Sequence, residues 1–367
     1  MDLKRVERAW RSTWMRAIGR ALPGPRHVDS TSFDARPLRT LFVRYERIGD
    51  MIMATGLIRV LASASTSGKV DVIANPATRP VLDGNPHVGK VFVLDRGSWS
   101  SYLRLMRQLR SEHYDVIVDG RINNPHVFTS TPMLMLAAGA PYRIGVGGGN
   151  NDLVYNVPVQ RYDRSTPYVE GSKSLSLPFR VDPALVDWQP EIFLSDTERS
   201  VAEAHWGRAC GLATAASGRR LLVNLSASEE KRRWPDGRFV EVLLRVREQT
   251  PMLTIIVIGL PKEWDRVTRV AGQVSALAVP TPHLREALAL VGTSDMVLTP
   301  DTSISHAASA FRKPAVVLLK REHHPYAPYN IPGENVFWDG DEIHGLQVEA
   351  VAAAVERLVG RYGQKSV

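Results

Sequence analysis

Short apolar segments alternate with helical segments along two stretches of the chain, and this alternation restricts the possible folds more than any other feature. In the first stretch, apolar runs at 40–45, 70–74 and 116–118 alternate with helical patterns at 51–62 and 102–109. Strands that alternate with helices form a parallel sheet covered by helices on both faces. The first stretch therefore predicts an α/β domain. Its other predicted elements are strands at 91–94 and 142–146 and a helix at 131–138.

The region 150–190 is rich in proline and polar residues and shows no clear periodicity, so we interpret it as the connection between two halves. A second alternation follows it. Its predicted helices lie at 196–210, 236–249, 283–291, 303–311 and 348–359, and its predicted strands at 221–224, 254–258, 296–299 and 315–319.

The length of 367 residues exceeds the usual size of one domain. We expect two doubly wound domains of parallel strands that face a central cleft, where ligands bind outside the carboxyl ends of the strands. The expected divisions are a helix and linker at 1–37, domains at 38–175 and 190–345, and a C-terminal helix and tail at 346–367.

The positive charge of the chain is concentrated at its N-terminus. The net charge is +8, and residues 1–39 contribute nine Lys and Arg against four acids. In the same segment, apolar residues recur every four positions along one side of a predicted helix. These residues are Val6, Trp10, Trp14, Ile18 and Leu22.

Two interpretations of this N-terminal helix stay open. A basic amphipathic helix with tryptophans fits docking at an anionic membrane surface through residues 1–22. Alternatively, the helix packs on the body of the protein and its arginines are solvated. Nucleic-acid binding is not expected, because the sequence has no finger, RNA-binding or helix-turn-helix signature.

Composition points to the cytoplasm. The single cysteine, Cys210, excludes an internal disulfide and suits a reducing compartment. No apolar run approaches the roughly 20 residues that span a bilayer, and the N-terminus lacks the apolar core of a signal peptide. We expect a cytoplasmic protein, with peripheral contact to the inner face of the membrane if the first interpretation of the N-terminal helix holds.

The segment 43–53 is the first with potential chemistry. It has neither the glycine pattern of a dinucleotide site nor the Gly-Lys-Ser/Thr of a P-loop. Asp50 lies where a strand runs into a helix. The carboxylate either caps that helix by accepting backbone N–H bonds or acts as a general base on an acceptor hydroxyl.

A second segment, 296–306, places Asp301, Thr302, Ser303 and His306 at the start of a helix after a strand. The free N–H groups and the positive end of the helix dipole suit phosphate oxygens, and the hydroxyls add donors. The alternative is a capped helix without a ligand.

The segment 224–235 contains three consecutive cations, among them Lys231 and Arg232. These cations either balance a pyrophosphate leaving group or are simply solvated. Downstream, Gly259 ends a strand and Glu263 is placed to receive a ribose hydroxyl, unless it is an ordinary loop residue. The pair His323-His324 lacks further ligand signals, so we expect no metal.

Together, these three segments resemble glycosyltransferase family 9, the ADP-heptose lipopolysaccharide heptosyltransferases. Residues 44–50 (Arg-x-x-x-x-Gly-Asp) resemble the opening turn of the family. Residues 231–235 (Lys-Arg-Arg-Trp-Pro) resemble its Lys-x-Trp-Pro segment. Residues 301–306 (Asp-Thr-Ser-Ile-Ser-His) resemble its Asp-Thr-Gly-x-Ser-His motif, with Ser303 in place of the usual glycine. The resemblance covers about residues 40–360.

The resemblance implies a GT-B fold of two Rossmann-like domains and an inverting, metal-independent transfer without a cofactor. Asp50 would be the base. The donor would be bound by the C-terminal domain, with Lys231 or Arg232 on the diphosphate. The donor-site residues are then Lys231, Arg232, Trp234, Gly259, Glu263, Asp301, Thr302, Ser303 and His306.

The expected reaction moves heptose, or a related sugar, from an ADP-sugar such as ADP-heptose to a lipopolysaccharide-type glycolipid. Four arginines in or near predicted loops of the N-terminal domain are candidates for the acceptor: Arg79, Arg96, Arg121 and Arg143. Alternatives are another nucleotide sugar, a protein or metabolite acceptor, or a glycosyltransferase-like protein that binds without turnover.

Overall fold

Two compact units make up the chain, Met1–Trp188 and Gln189–Val367. The computed structural model describes residues 3–23, 25, 27–29, 38–95, 97–122, 130–163, 165–212 and 218–362. Each unit contains a six-stranded sheet in which every strand pair is parallel.

The sheet of the first unit has the strand order β3-β2-β1-β4-β5-β6. The central strands β1 and β4 are buried along their whole length, as expected for a sheet covered on both faces. The strands are β1 (Thr40–Val43), β2 (Val70–Ala74), β3 (Val88–Val93), β4 (Val116–Asp119), β5 (Tyr142–Val146) and β6 (Val157–Val159).

The described residues of the first unit form five α-helices. They are α1 (Leu3–Ala21), α2 (Ile48–Ser63), α3 (Trp99–Arg110), α4 (Ser130–Ala138) and α5 (Tyr168–Ser172). Helix α4 packs against both α1 and α3, whereas α2 packs against α5. Leu105 and Leu109 of α3, and Met15 and Ile18 of α1, enter the same core as β1 and β4.

The second unit repeats this architecture with the strand order β12-β11-β10-β7-β8-β9. Its strands are β7 (Arg220–Asn224), β8 (Thr254–Ile258), β9 (Leu277–Ala278), β10 (Met296–Pro300), β11 (Ala315–Lys320) and β12 (Gly333–Trp338). Its helices are α6 (Asp196–Cys210), α7 (Asp236–Gln249), α8 (Trp264–Gln273), α9 (Leu284–Thr293), α10 (Ser303–Ala310) and α11 (Val348–Tyr362).

Counted from the first strand of each unit, the two strand orders are identical. In each, the first and fourth strands lie side by side and the chain continues in opposite directions from them. Ligands of such sheets bind outside the carboxyl ends of these two strands. The relevant strand ends are those of β1 and β4 in the first unit and of β7 and β10 in the second.

The prediction of two α/β units with parallel sheets is confirmed, and three parts of the sequence interpretation need correction. The region 150–190 is not merely a connection, since it contains β6 and α5. The sequence analysis also missed α8 and the edge strands β9 and β12. These strands are short or half-exposed, so their apolar signal is weak.

Helix α1 packs on the body of the first unit by part of its surface. Met15, Ile18 and Leu22 are buried in the core, while Trp10 and Trp14 are exposed. Within the described residues, no helix is both long enough and apolar enough to cross a bilayer.

Candidate active site

In the first unit, Asp50 lies beside the carboxyl end of β1, and it is not the cap of α2. The helix begins at Ile48 after Arg47, which makes no side-chain capping bond, so Asp50 is already the third helical residue. The capping interpretation is therefore wrong. The carboxylate of Asp50 contacts the guanidinium of Arg44 instead, with Oδ1 3.1 Å from the nearer terminal nitrogen.

Arg44 holds two carboxylates and the adjacent backbone. The buried guanidinium contacts Asp50, lies 3.7 Å from Glu46 and donates to the carbonyl of Gly120 at 3.2 Å. It also stacks over the ring of Tyr168 at 4.9 Å. Burial favours a lower pKa for Arg44, but Tyr168, Asp50 and Glu46 outweigh it and raise the pKa above the ordinary arginine value. Arg44 is therefore a fixed positive charge against Asp50.

A second ion pair follows β4. The guanidinium of Arg121 donates to Asp119 at 2.8 Å and to the hydroxyl of Thr131 at 2.6 Å. The hydroxyl of Tyr155 donates to the same carboxylate at 2.5 Å. Burial would raise the pKa of Asp119, but Arg121 and the hydrogen bonds lower it. Glu46, 3.6 Å from Arg121, joins this pair to the Arg44 cluster.

The four arginines expected at the acceptor have different environments. Arg121, in the loop after β4, and Arg143 are both buried. Arg143 lies inside β5 and donates to backbone oxygens, including that of Val154 at 2.7 Å. Burial lowers the pKa of Arg143 to about 10. Arg79 is exposed and 3.4 Å from Asp83, and Arg96 lies outside the described residues.

In the second unit, a network of amide and hydroxyl groups joins the ends of β7 and β10. The side-chain amide of Asn224 donates to the hydroxyls of Thr299 and Thr302 at 3.0 and 3.2 Å. Thr302 is the N-cap of α10 and accepts from the backbone N–H of Ile304 at 3.2 Å. Ser303 is the first helical residue and His306, largely buried, is the fourth. A partly exposed helix N-terminus therefore lies at the carboxyl ends of β7 and β10.

Arg232 and Lys231, the two candidate cations, are placed differently. Arg232 is mostly buried, with a terminal nitrogen 3.5 Å from the carboxylate of Asp301. The same carboxylate lies 3.2 Å from Nδ1 of His323. Lys231 is half-exposed and pairs with Glu229 at 3.2 Å. Of the two, the structure therefore brings Arg232 to the segment 301–306.

Trp234 lies behind the site rather than at its surface. Its side chain is completely buried, packs edge-on against Phe239 at 4.9 Å and donates its indole N–H to the carbonyl of Leu346 at 3.2 Å. A ligand cannot reach a side chain that is covered on all sides. In this structure Trp234 supports the segment 230–232, which corrects its assignment to direct donor contact.

Gly259 and Glu263 form a compact group with Ser226. A Cβ on Gly259 would stand 2.7 Å from Val267 and 3.0 Å from the Ser226 hydroxyl, so only glycine fits. Ser226 donates to the buried carboxylate of Glu263, which also contacts Arg233 at 2.9 Å. Glu263 is thus already engaged by neighbouring side chains.

Comparison with known proteins places this architecture in a family. The model of glycosyltransferase family 9 (heptosyltransferase) matches residues 102–335, more than half of the chain. The chain belongs to glycosyltransferase family 9. It is therefore a glycosyltransferase, as the three sequence segments predict.

Two curated relatives of this family 9 protein are lipopolysaccharide heptosyltransferases. The chain is 22% identical over 310 residues to the lipopolysaccharide core heptosyltransferase OpsX of Haemophilus influenzae, covering 81% of this chain and 84% of the relative. It is 22% identical over 312 residues to lipopolysaccharide heptosyltransferase 2 of Escherichia coli, covering 79% and 85%.

Solved structures show the same fold at low sequence identity. The glycosyltransferase family 9 protein of Veillonella parvula superposes with a TM-score of 0.75 at 16% identity, covering 92% of this chain and all of that one. E. coli ADP-heptose heptosyltransferase II gives a TM-score of 0.66 at 17% identity over 88% and 99%. The predicted GT-B fold of two Rossmann-like domains is confirmed.

The sequence analysis missed several residues near the carboxyl ends of β1 and β4 in the first unit and of β7 and β10 in the second. Glu46 and Asp119 have no role in the motifs, although Glu46 lies three residues after β1, Asp119 ends β4, and each has an arginine nearby. Asn224 begins the motif segment but was not singled out. His323 was considered only as a metal ligand, whereas it contacts Asp301.

Proposed function

We propose that this family 9 glycosyltransferase moves heptose from ADP-heptose to a lipopolysaccharide-type glycolipid, with inversion and without a metal. The names of the curated relatives support the reaction class. An E. coli heptosyltransferase with a TM-score of 0.66 and 16% identity was solved with ADP-2-deoxy-2-fluoro heptose, which supports the donor. Among the described residues, no three or more His, Cys, Asp or Glu side chains lie together so that they could hold a metal ion, which supports a metal-independent transfer.

Asp50 is the proposed general base, and its contact with Arg44 is the observation that carries the proposal. The side chain is about a quarter exposed, so an acceptor hydroxyl can approach it. Oδ1 faces the buried Arg44 guanidinium at 3.1 Å. This contact fixes the carboxylate in a position to accept a proton from that hydroxyl.

The donor diphosphate is proposed to bind at the start of α10. The N-terminus of that helix, the hydroxyls of Thr302 and Ser303 and the Arg232 guanidinium supply charge and hydrogen-bond donors in one place. Lys231 is the less favourable diphosphate ligand, because it extends into solvent beside Glu229.

An acceptor of this class carries a lipid anchor, and the protein is proposed to meet it at the membrane surface. Trp10 and Trp14 on α1 are exposed, although each is large and apolar. Tryptophan side chains at the surface of a basic helix suit the interfacial region of a bilayer. We therefore favour peripheral contact through residues 1–22, with α1 also packed on the first unit.

The decisive test is Asp50→Asn, which keeps the shape of the side chain but removes the base. We expect kcat to fall about 10³-fold. The measurement is ADP release from ADP-heptose with heptose-deficient lipopolysaccharide as acceptor. The affinity for ADP, from calorimetry, should not change, since that site is proposed in the second unit.

Glu46→Gln is the matched control, because Glu46 contacts the same guanidinium. It should lose less than about tenfold in kcat. Turnover retained by the Asp50 variant would refute the role of Asp50. Tighter binding of UDP or GDP than of ADP would instead favour another nucleotide sugar. Loss of activity in EDTA, or retention at the anomeric centre by NMR, would contradict those parts of the proposal.

A further inference from the structure

Four of the eight large exposed apolar side chains described in the first unit lie on two of its helices. Trp10 and Trp14 on α1 are 57% and 49% exposed, and Trp99 and Leu103 on α3 are 77% and 54% exposed. Monomeric proteins normally expose such residues singly, and a cluster marks an interaction site. The question is whether the two helices present one surface.

The exposed tryptophans of α1 lie on its α4 side. At 100° per residue, Trp10 and Trp14 flank one border of the buried stripe that contains Met15 and Ile18. Gly19 lies at the other border, where its Cα abuts the backbone of Leu153 in the turn Gly149–Leu153. Since α1 packs only against this turn and α4 among the larger described contacts, the tryptophan border faces α4.

The exposed residues of α3 also lie on the α4 side. Leu105 and Leu109 mark its buried face. Arg104 and Gln108 line a shallow pocket with the edge strand β3, so that border of the helix faces the sheet edge. By the same helical spacing, Trp99 and Leu103 occupy the opposite border, which faces α4.

Helix α4 joins the two borders with an apolar surface of its own. It packs against both α1 and α3 and contains no charged residue. Met133 and Leu136 on this helix are partly exposed. We call this continuous surface the three-helix face. Its residues are Trp10, Trp14, Trp99, Leu103, Met133 and Leu136.

The charge of the three-helix face is of one sign. The segments 10–22, 99–110 and 130–138 contain six arginines and no acidic residue. Arg20 on α1 and Arg107 and Arg110 on α3 are exposed and lie away from the borders that face the turn Gly149–Leu153 and the edge strand β3. Cations around tryptophan and leucine match an anionic headgroup layer above an acyl region.

We propose that the three-helix face docks on a bilayer surface that contains anionic lipids, with α3 as a second anchor beside α1. This deepens the membrane contact proposed above, which rests on residues 1–22 alone. The tryptophans enter the interfacial region, the arginines contact lipid phosphates, and α4 covers the space between the two anchors.

The test is sedimentation of the full chain with phosphatidylglycerol-containing vesicles. We expect Trp99→Ser/Leu103→Ser to lower the partition coefficient about tenfold, and Arg107→Gln/Arg110→Gln to lower it about tenfold or more. Vesicles of phosphatidylcholine alone should bind the wild type much less. Circular dichroism and ADP affinity should stay unchanged in each variant.

Val201→Ser/Leu244→Ser is the matched control, because both residues are exposed on helices of the second unit. An unchanged partition coefficient in the α3 variants, or an equal loss in the control, would overturn the proposal. If only Trp10→Ser/Trp14→Ser weakens binding, the contact of residues 1–22 stands and the role of α3 falls. If the α3 variants abolish a dimer without affecting vesicle binding, the face joins copies of the chain instead.

Discussion

The two units have the same strand order, but they carry different side chains at the carboxyl ends of their first and fourth strands. At the end of β1 and β4, the first unit buries arginines against carboxylates. At the end of β7 and β10, the second unit places amide and hydroxyl groups around a helix N-terminus, with Arg232 beside it. The first copy of this scaffold thus holds a fixed carboxylate, and the second presents the groups where we propose that the donor diphosphate binds.

The difference lies in where the charge is balanced. In the first unit, Arg44 and Arg121 each have a protein carboxylate within 3.1 Å, so their charges are paired without a ligand. In the second unit, the hydroxyls and the helix N-terminus carry only partial charges. A diphosphate there would gain these donors and would compete with Asp301 for the Arg232 guanidinium. The predictions below test this contrast.

The largest expected effect concerns the stability of the first unit. Asp119→Asn leaves the buried Arg121 without its carboxylate, so the free energy of unfolding should fall by about 3–5 kcal/mol. Urea unfolding followed by circular dichroism measures this loss. The control is Asp295→Asn in the second unit, which removes a half-exposed partner of Arg219 and should cost about 1 kcal/mol or less. Equal losses would erase the contrast between the units.

A smaller effect is expected on the donor site. Arg232→Gln should weaken ADP binding about 30-fold, since a charged hydrogen bond contributes roughly 2 kcal/mol. Lys231→Gln, with the same change of charge at the neighbouring position, should weaken it less than about threefold. Calorimetric titration with ADP separates the two. A larger loss in the Lys231 variant would assign the diphosphate to Lys231.

The smallest effect concerns a surface ion pair of the second unit. Hydrogen bonds from Arg285 lower the pKa of Glu198 to about 2. Because the folded-state pKa is depressed, the stabilisation is present above the unfolded value of 4.5 and is lost as the pH falls towards 2. Glu198→Gln should therefore cost up to about 1 kcal/mol at pH 7 and nothing near pH 2.

Urea titrations of the Glu198 variant and the wild type at several pH values measure this dependence. A difference in stability that persists unchanged at pH 2 would show that Glu198 acts through packing rather than through its charge.

The sequence predicts the units well, because their long helices and central strands have clear periodicity. It predicts neither the strand order nor the edge strands, since β9 has two residues and β12 is half-exposed. Residues that are neighbours in the sequence can also have different environments in the structure. Lys231 and Arg232 are neighbours in one cationic run, yet one extends into solvent and the other contacts Asp301.

Sequence motifs predict the burial of a side chain less well than they predict helices and strands. Arg121 follows β4 and Arg143 lies within β5. Arginine is usually a surface residue, but tertiary packing encloses both side chains. Conversely, Asp50 was ambiguous between a cap and a base. Because α2 begins at Ile48, Asp50 is not its cap, and only the three-dimensional structure shows the contact of Asp50 with Arg44.

The indole of Trp234 has a consequence for how mutational data on this protein are read. It ties the cationic segment 230–232 to the chain just before α11 through its bond to Leu346. A variant that truncates this ring would loosen Arg232 and lower nucleotide affinity, although the ring touches no ligand. An alanine scan that measures only binding would therefore identify Trp234 as a ligand contact, although its role is to hold the neighbouring chain in place.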